Sequence, residues 1–331
     1  MRVAQASSFG VPHEVVDLVE FPDPGDPGAG EAVVAAEWCP INPSDLVNIA
    51  GAYGATRPPL PLVPGVEGVG RVVAIGPGVT HLNVGDRVLL PGSGTWRERV
   101  KAPAAWLFAL PAGGDPRQWS MLRVNPATAA IMLRDFVPPR AGQWVIQNAA
   151  NSGVGHCLIH LARDAGMKSV NIVRRPDVID ELRAAGADVV LEDGPGLRDR
   201  VRAAIGDGAL PLGIDAIGGS ATQRLARCVD DGGVIVNYGL LSGEPCTIDA
   251  RETIFRDVQL RGFWLRRWFT TTAPAGVLAL YQELAAKVLD GTLAVGVEAV
   301  YPLSRIREAL EHAGRGGRSG KILLSFAGDL T

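Results

Sequence analysis

Between Trp144 and Arg175 the sequence WVIQNAANSGVGHCLIHLARDAGMKSVNIVRR places a small-residue turn where a strand gives way to a helix. Ala150-Asn151-Ser152-Gly153-Val154-Gly155 stands at the place of a G-x-G-x-x-G turn, with Ala150 and Ser152 for the first two glycines and Gly155 keeping the third. A turn of this kind leaves backbone N–H groups unpaired at a helix N-terminus, where the peptide dipoles also favour negative charge, so its chemistry is that of a pyrophosphate cradle. A turn that only joins strand to helix has a similar composition. The flanking strands and helix, which the motif requires, favour the nucleotide. The second strand, Val170 to Val173, runs into Arg174 and Arg175, where an NAD site would carry an acid for the ribose 2′-OH. Two guanidiniums are donor forks matched to a phosphate, which selects NADP(H); two solvated surface arginines are the alternative.

The elements that must position these groups follow from periodicity. Val145 and Ile146 give a short buried strand, and Val154, Cys157, Leu158, Leu161, Ala162 and Ala165 fall on one helix face. From Gln143 onward strands are predicted at Trp144–Asn148, Ser169–Val173, Val189–Glu192, Gly213–Ile217, Val234–Tyr238 and Gln259–Trp264. Helices are predicted around Val178–Ala185, Leu197–Ile205 and Ala221–Val229 between them. This alternation makes an α/β doubly wound parallel sheet. The first 110 or so residues instead carry turn signals and short β-rich runs (Ala32–Ala36, Gly70–Ile75, Arg87–Leu90), the pattern of a small, partly open β-barrel. A helix at Ala127–Phe136 ends at Pro138-Pro139. After Trp268 come a helix (Ala275–Leu289), a strand (Val297–Tyr301), a helix (Arg305–Ala313) and a strand (Lys321–Phe326), with too little core to stand alone. The predicted domains are therefore 1–118 with 268–331, and 119–267 as an insertion.

The 331 residues are 47% hydrophobic and 20% charged with a formal net charge of −3, as in a soluble globular protein. No basic run is long enough for a nucleic-acid footprint, so nucleic acid is excluded as the main partner. Neither a signal peptide nor a membrane span is indicated, and the expected location is cytoplasmic. Cys39, Cys157, Cys228 and Cys246 form no C-x-x-C pair and read as reduced fillers of apolar space.

Several stretches carry a resemblance: INPSDLVNIAGAYG (41–54), PGVEGVGRVVAIG (64–76), VNPATA (124–129), VIQNAANSGVG (145–155), NIVRR (171–175) and LRGFWLRRW (260–268). Together they resemble the medium-chain dehydrogenase/reductase superfamily, and within it the mitochondrial-type trans-2-enoyl-thioester reductases, over nearly the whole chain. The resemblance implies a GroES-like, partly open β-barrel catalytic domain and a Rossmann domain. Zinc members bind catalytic metal through a cysteine three residues before an Asp and a histidine in Gly-His-Glu. Here those places hold Asn42, before Asp45, and Val66, before Glu67, neither of which replaces a thiolate or imidazole. A metal-free enzyme is expected.

Without metal, another group must stabilise negative charge on a carbonyl oxygen as hydride arrives. Tyr53 stands where the resembled reductases carry their catalytic tyrosine, and a phenol keeps its proton at neutral pH. By residue type alone a loop tyrosine filling an apolar gap is the better account, and the resemblance turns it toward catalysis. The resemblance further implies cofactor contacts at Asn125; at Asn151, Ser152, Gly153 and Val154; at Arg174 and Arg175; at Tyr238, Gly239, Leu240 and Leu241; and at Phe263, Trp264, Leu265 and Lys321. Asn125 also suits a turn before Pro126, Phe263 and Trp264 suit core packing, and Lys321 suits a solvated surface. Ala130 and Ile131 stand where relatives carry Tyr-Arg, which leaves acyl length and carrier open, as do Arg266 and Arg267 after RGFWL. The implied activity is NADPH-dependent reduction of a trans-2-enoyl thioester of coenzyme A or an acyl-carrier protein. A quinone or alkenal reductase of the same superfamily is the alternative, and a catalytically silent NADP-binding protein the remote one. A homodimer is expected through the last Rossmann strand, which would otherwise be an open edge.

Overall fold

The computed structural model describes residues 1–54 and 56–326, so 327–331 of the first predicted domain lie outside the described residues. The chain divides into two compact units, one of Met1–Val124, Leu278–Asp290 and Val295 onward, the other of Asn125–Val277 and Gly291–Ala294.

The first unit holds strands β1 (Arg2–Ala6), β2 (Val16–Glu20), β3 (Glu31–Ile41), β4 (Val69–Ile75), β5 (Arg87–Leu89), β6 (Arg99–Pro103) and β7 (Phe108–Ala109). From the far end of the sequence it takes β14 (Val297–Pro302) and β15 (Lys321–Ser325). Its main sheet runs β14-β15-β3-β4-β5-β7 with β6 also on β3, and β1 pairs with β2 separately; the sheet does not close on itself, in keeping with the partly open, GroES-like reading. β3 is the hub. It continues past Ala36 through Trp38, Cys39 and Pro40 because a register shift against β4 between Ala36 and Trp38 absorbs the irregularity. Pro40, which has no N–H to give, pairs with Leu323 of β15. The core under this sheet includes Val34, Cys39, Ile41, Leu90, Trp96, Leu310 and Leu324, all buried.

Helix Pro43–Ile49 carries too few apolar repeats to announce itself, but its start is written in NPSD. Asn42 is extended, Pro43 takes the first helical position where its missing N–H costs nothing, and the Asp45 carboxylate accepts from the Asn42 N–H at 2.8 Å. The β1–β2 pair lay outside the predicted elements because its strands are short and flank a four-residue helix, Pro12–Val15.

The second unit is a six-stranded sheet of β8 (Trp144–Gln147), β9 (Lys168–Val173), β10 (Val189–Glu192), β11 (Leu212–Asp215), β12 (Val234–Asn237) and β13 (Gln259–Gly262). The order is β10-β9-β8-β11-β12-β13 and every pairing is parallel. That is the doubly wound order with its switch point between β8 and β11, where α/β proteins open a crevice at the carboxyl ends. Helix Gly153–Asp164 buries Val154, Cys157, Leu158, Ile159, Leu161 and Ala162, whereas Ala165 caps its end and is exposed. β13 stops at Gly262, two residues short of the predicted strand, and all four of its residues are exposed.

Gly155 fixes how closely that helix lies on β8, since a Cβ there would run into the carbonyl of Ala150. Gly155→Ala should therefore force helix and strand apart, at roughly 1–3 kcal/mol for overpacking. The control Gly314→Ala, where a Cβ meets nothing within 4 Å, should be near neutral. Denaturant unfolding of both variants checks this; equal stabilities would contradict the close approach.

Candidate functional site

In the second unit, β8 passes through Ala149, held at φ 48°, into Ser152, which caps the helix by accepting the Gly155 N–H on its hydroxyl at 3.1 Å. The N–H groups of Gly153 and Val154 have no acceptor among the described residues. They point out of a twelve-residue helix at the switch point, the donor arrangement a pyrophosphate takes. Beneath the turn, Gln147 Nε2 donates to the Gly155 carbonyl at 2.9 Å and to Asn171 Oδ1 at 2.7 Å, tying helix, β8 and β9 together.

The carboxyl ends of β8, β11 and β12 are held by Asp215, which is fully buried. Its carboxylate accepts from Asn148 Nδ2 at 2.6 Å, from Thr222 Oγ1 at 2.6 Å, from the N–H groups of Ile217 and Gly218 at 2.9 and 3.1 Å, and from Asn237 Nδ2 at 3.2 Å. Asn148 returns its Oδ1 to the Ala216 N–H at 2.8 Å. A lone buried carboxylate would be costly; here the donors come from the three strand ends and from the helix after β11, so the network sets where the loops leave the sheet.

Tyr238, Gly239, Leu240 and Leu241 follow β12. Tyr238 is half-buried; burial pushes its phenol up, and the Ser152 side chain pulls it partly back. The loop after β12 thus comes up beside the loop after β8. Gly239 lies so close to Ala216 that a Cβ would meet the Ala216 carbonyl, while Leu240 and Leu241 stand 67% and 58% exposed. Arg174 is exposed and makes no ion pair with a described residue; Arg175 is half-buried and reaches Asp177 at 3.4 Å. Asn125 opens helix Asn125–Asp135, which packs on helix Gly153–Asp164. Its Nδ2 is buried without a hydrogen-bond partner among the described residues. Phe263 packs edge-on against Phe136 at the far end of that helix, Trp264 is half-exposed, and Leu265 begins helix Leu265–Thr271.

In the first unit Tyr53 is partly exposed in the turn after helix Pro43–Ile49. Lys321 is buried, not solvated: its Nζ donates to Asn42 Oδ1, and Asn42 Nδ2 donates to Glu67 Oε1 at 2.7 Å. The pairing of Ile322 with Ile41 brings Lys321 beside Asn42 from 279 residues away. Glu67 reaches the same spot because Gly68 lies against Cys39 and the Trp38 carbonyl, where a side chain would collide. Glu67 Oε2 accepts from the Val124 N–H at 2.8 Å, and its carbonyl accepts from Thr95 Oγ1 at 2.9 Å. Burial pushes the Glu67 carboxyl up, opposed by Lys321 and its hydrogen bonds; burial likewise pushes Asp45 up to about 7. In the sequence Asn42 and Val66 stand out only for the metal ligands they are not, and the signal of this cluster is charge in apolar company: Glu67 among glycine and valine, and Lys321 at the head of an apolar strand. Among the described residues no group of three or more His, Cys, Asp and Glu is arranged to hold a metal ion, and no helix is long and apolar enough to cross a membrane.

The second unit's groups fit a phosphorylated dinucleotide by three independent observations. Among the described residues, no partner meets the N–H groups of Gly153 and Val154, the buried Asn125 amide or, beyond β9, the Arg174 guanidinium. Asn151 and Ser152 complete that loop, both partly exposed.

Comparison with known proteins agrees with this architecture. Residues 28–112 match the alcohol dehydrogenase GroES-like domain and residues 153–283 the zinc-binding dehydrogenase family. The chain is 35% identical over 326 residues to a mitochondrial enoyl-[acyl-carrier-protein] reductase of Arabidopsis thaliana, covering 96% of this chain and 86% of that protein. It is 37% identical over 333 residues to the one of Mus musculus, covering 98% and 89%. A Bacillus thuringiensis structure assigned as an NADPH:quinone reductase superposes with a TM-score of 0.90 at 29% identity, covering 98% of each chain. The chain is thus an oxidoreductase that belongs, within the medium-chain dehydrogenase/reductase superfamily, to the family of the mitochondrial enoyl-[acyl-carrier-protein] reductases.

Proposed function

We propose that the protein reduces the C=C bond of a trans-2-enoyl thioester, carried by coenzyme A or an acyl-carrier protein, with NADPH. The observation that carries the reading is Tyr53, a partly exposed phenol in the turn after NPSD in a chain 37% identical to enoyl-[acyl-carrier-protein] reductases. When bound, NADPH supplies a hydride to the β-carbon. Tyr53 donates to the thioester carbonyl oxygen as charge develops there, and the α-carbon takes up a proton from solvent, so the double bond is reduced and the cofactor oxidised. Asn125, Asn151 to Val154, Arg174, Arg175 and Tyr238 to Leu241 hold the cofactor in this reading, with Phe263 to Leu265 and Lys321 completing its contacts. Likeness to the Bacillus protein supports a second substrate class, quinones, with the same cofactor.

Tyr53→Phe removes only the hydroxyl. Folding and NADPH binding should survive, while kcat on crotonyl-CoA falls by ~10²-fold or more, the scale of one oxyanion donor or general acid. kcat and kcat/KM should fall together, because the lost interaction is made in the transition state. Wild-type kcat under conditions where hydride transfer limits would show that the ring only packs. Rates with a short quinone and an alkenal, measured alongside, decide between the substrate classes.

For the cofactor, Arg174→Ala with Arg175→Ala should weaken NADPH far more than NADH. Each lost hydrogen bond to a charged group is worth roughly 1.5–3 kcal/mol, and Arg175 is already shared with Asp177. Fluorescence titration with both cofactors checks this; equal weakening refutes the phosphate preference.

The homodimer is proposed through the edge of β13, the last strand of its sheet. That strand is exposed, and near it in sequence Ile254, Phe255 and Leu260 are 69%, 77% and 43% exposed, an apolar edge of the kind two copies cover by pairing. Light scattering at micromolar concentration should give twice the chain mass for the wild type and a lower mass for Leu260→Glu; a monomeric wild type refutes it.

A further inference from the structure

We propose that Glu67 is a positioning residue: as a carboxylate it sets the direction of a buried hydrogen-bond chain whose ends are Lys321 and Val124, the residue preceding Asn125. The inference rests on the reading of Lys321 and Asn125 as cofactor contacts. Glu67 is completely buried, and both of its carboxylate oxygens face donors, Asn42 Nδ2 at 2.7 Å and the Val124 N–H at 2.8 Å. The other end of the Asn42 amide, Oδ1, accepts from Lys321 Nζ. A backbone N–H and an ammonium can only donate, and an ionised carboxylate can only accept. Asn42 sits between an acceptor and a donor, so its amide has one allowed orientation, with oxygen toward Lys321.

That orientation depends on charge at Glu67. A neutral amide there must turn its oxygen to one donor and its NH2 to the other. If the NH2 faces Asn42, the Asn42 amide flips and presents its own NH2 to the Lys321 ammonium, donor against donor. If it faces Val124, that N–H loses its acceptor. Either way one end of the chain gives way. The other charged groups acting here do not restore the order: Asp45 holds the Asn42 backbone N–H through Oδ2 at 2.8 Å, which fixes the Asn42 backbone but not its side-chain amide, and Arg123, whose charge acts on Glu67, can only donate. One carboxylate thereby sets the residue before Asn125 and the ammonium of Lys321, two groups 197 residues apart in the numbering (321 against 124).

The test uses the full chain with lysine labelled at Cε and Nζ. Only four lysines exist, Lys101, Lys168, Lys287 and Lys321, so Lys321→Met assigns the Lys321 resonance by its loss. In Glu67→Gln that resonance should move while those of Lys101, Lys168 and Lys287 stay, without any cofactor present. NADPH should bind about tenfold more weakly, the scale of one hydrogen bond to a charged group. Glu67→Gln should add little to the loss already caused by Lys321→Met, since both break the same chain. Glu67→Asp, which keeps the charge, should recover part of the affinity. A Lys321 resonance unmoved in Glu67→Gln, or losses that simply add, would overturn the proposal. If Glu67→Gln does not fold, Asn42→Ser cuts the chain between Glu67 and Lys321 and must move the same resonance; an unmoved signal there overturns it equally. NADPH affinity unchanged in Lys321→Met would instead sink the cofactor role of Lys321, while the resonance still decides the positioning.

Discussion

A carboxylate sealed from water must be met by donors on every side, and Asp215 is where this chain meets that demand. Its partners come from the ends of β8 and β12, from the turn after β11 and from Thr222 in the following helix. Hydrogen bonds along parallel strands fix the spacing of a sheet but not where its loops depart. Asp215 supplies that missing constraint at the switch point. The turn at Ala149–Ser152 and the one at Tyr238–Leu241 spring from anchored strand ends, Asn148 at one and Asn237 at the other. Loop positions that must match a ligand are thus fixed by the sheet below them.

The two units solve the same electrostatic problem with different means. Around Asp215 neutral donors surround one charge, so no counterion is needed. Around Glu67 the two buried carboxylates, Glu67 and Asp45, are opposed by the Lys321 ammonium, with one amide between Glu67 and Lys321. The first arrangement is robust because its donors are shared among three strand ends and the helix after β11. The second is directional, since it survives only while each group keeps its donor or acceptor role.

Much of this was legible in the sequence, and unevenly so. The second unit announced itself because parallel strands buried on both faces read as apolar runs between periodic helices, and helix Leu197–Ile205 coincides with its predicted limits. β3 was foreseen only to Ala36, because its continuation through Glu37, Trp38 and Pro40 breaks the β-rich pattern, while the bulge at Glu37 that accommodates it shows only once β3 is paired with β4. Arg174, Arg175 and the turn at Ala150–Gly155 were visible as motifs. Asp215, Asn148 and Asn237 were not: each is an ordinary polar residue at a strand end until the three strands are set side by side. Lys321 was visible as a residue but not as a buried one, since its partners lie 254 and 279 positions away (321 against 67 and 42).

The pairing of β15 with β3 also dictates an order of assembly. Residues 39–41 find their ladder partners only when residues 322–324 exist, whereas β8 to β13 are complete by residue 262. On the ribosome the inserted sheet has all its strands while the sheet that began the chain still shows an open flank on β3, and Glu67 has no ammonium to answer it. Long-range closure is slow and leaves unpaired edges exposed meanwhile. The last strand therefore acts as a clasp, bringing in one element both the final ladder bonds and the counter-charge, so that the first part of the protein to be synthesised is the last to become stable.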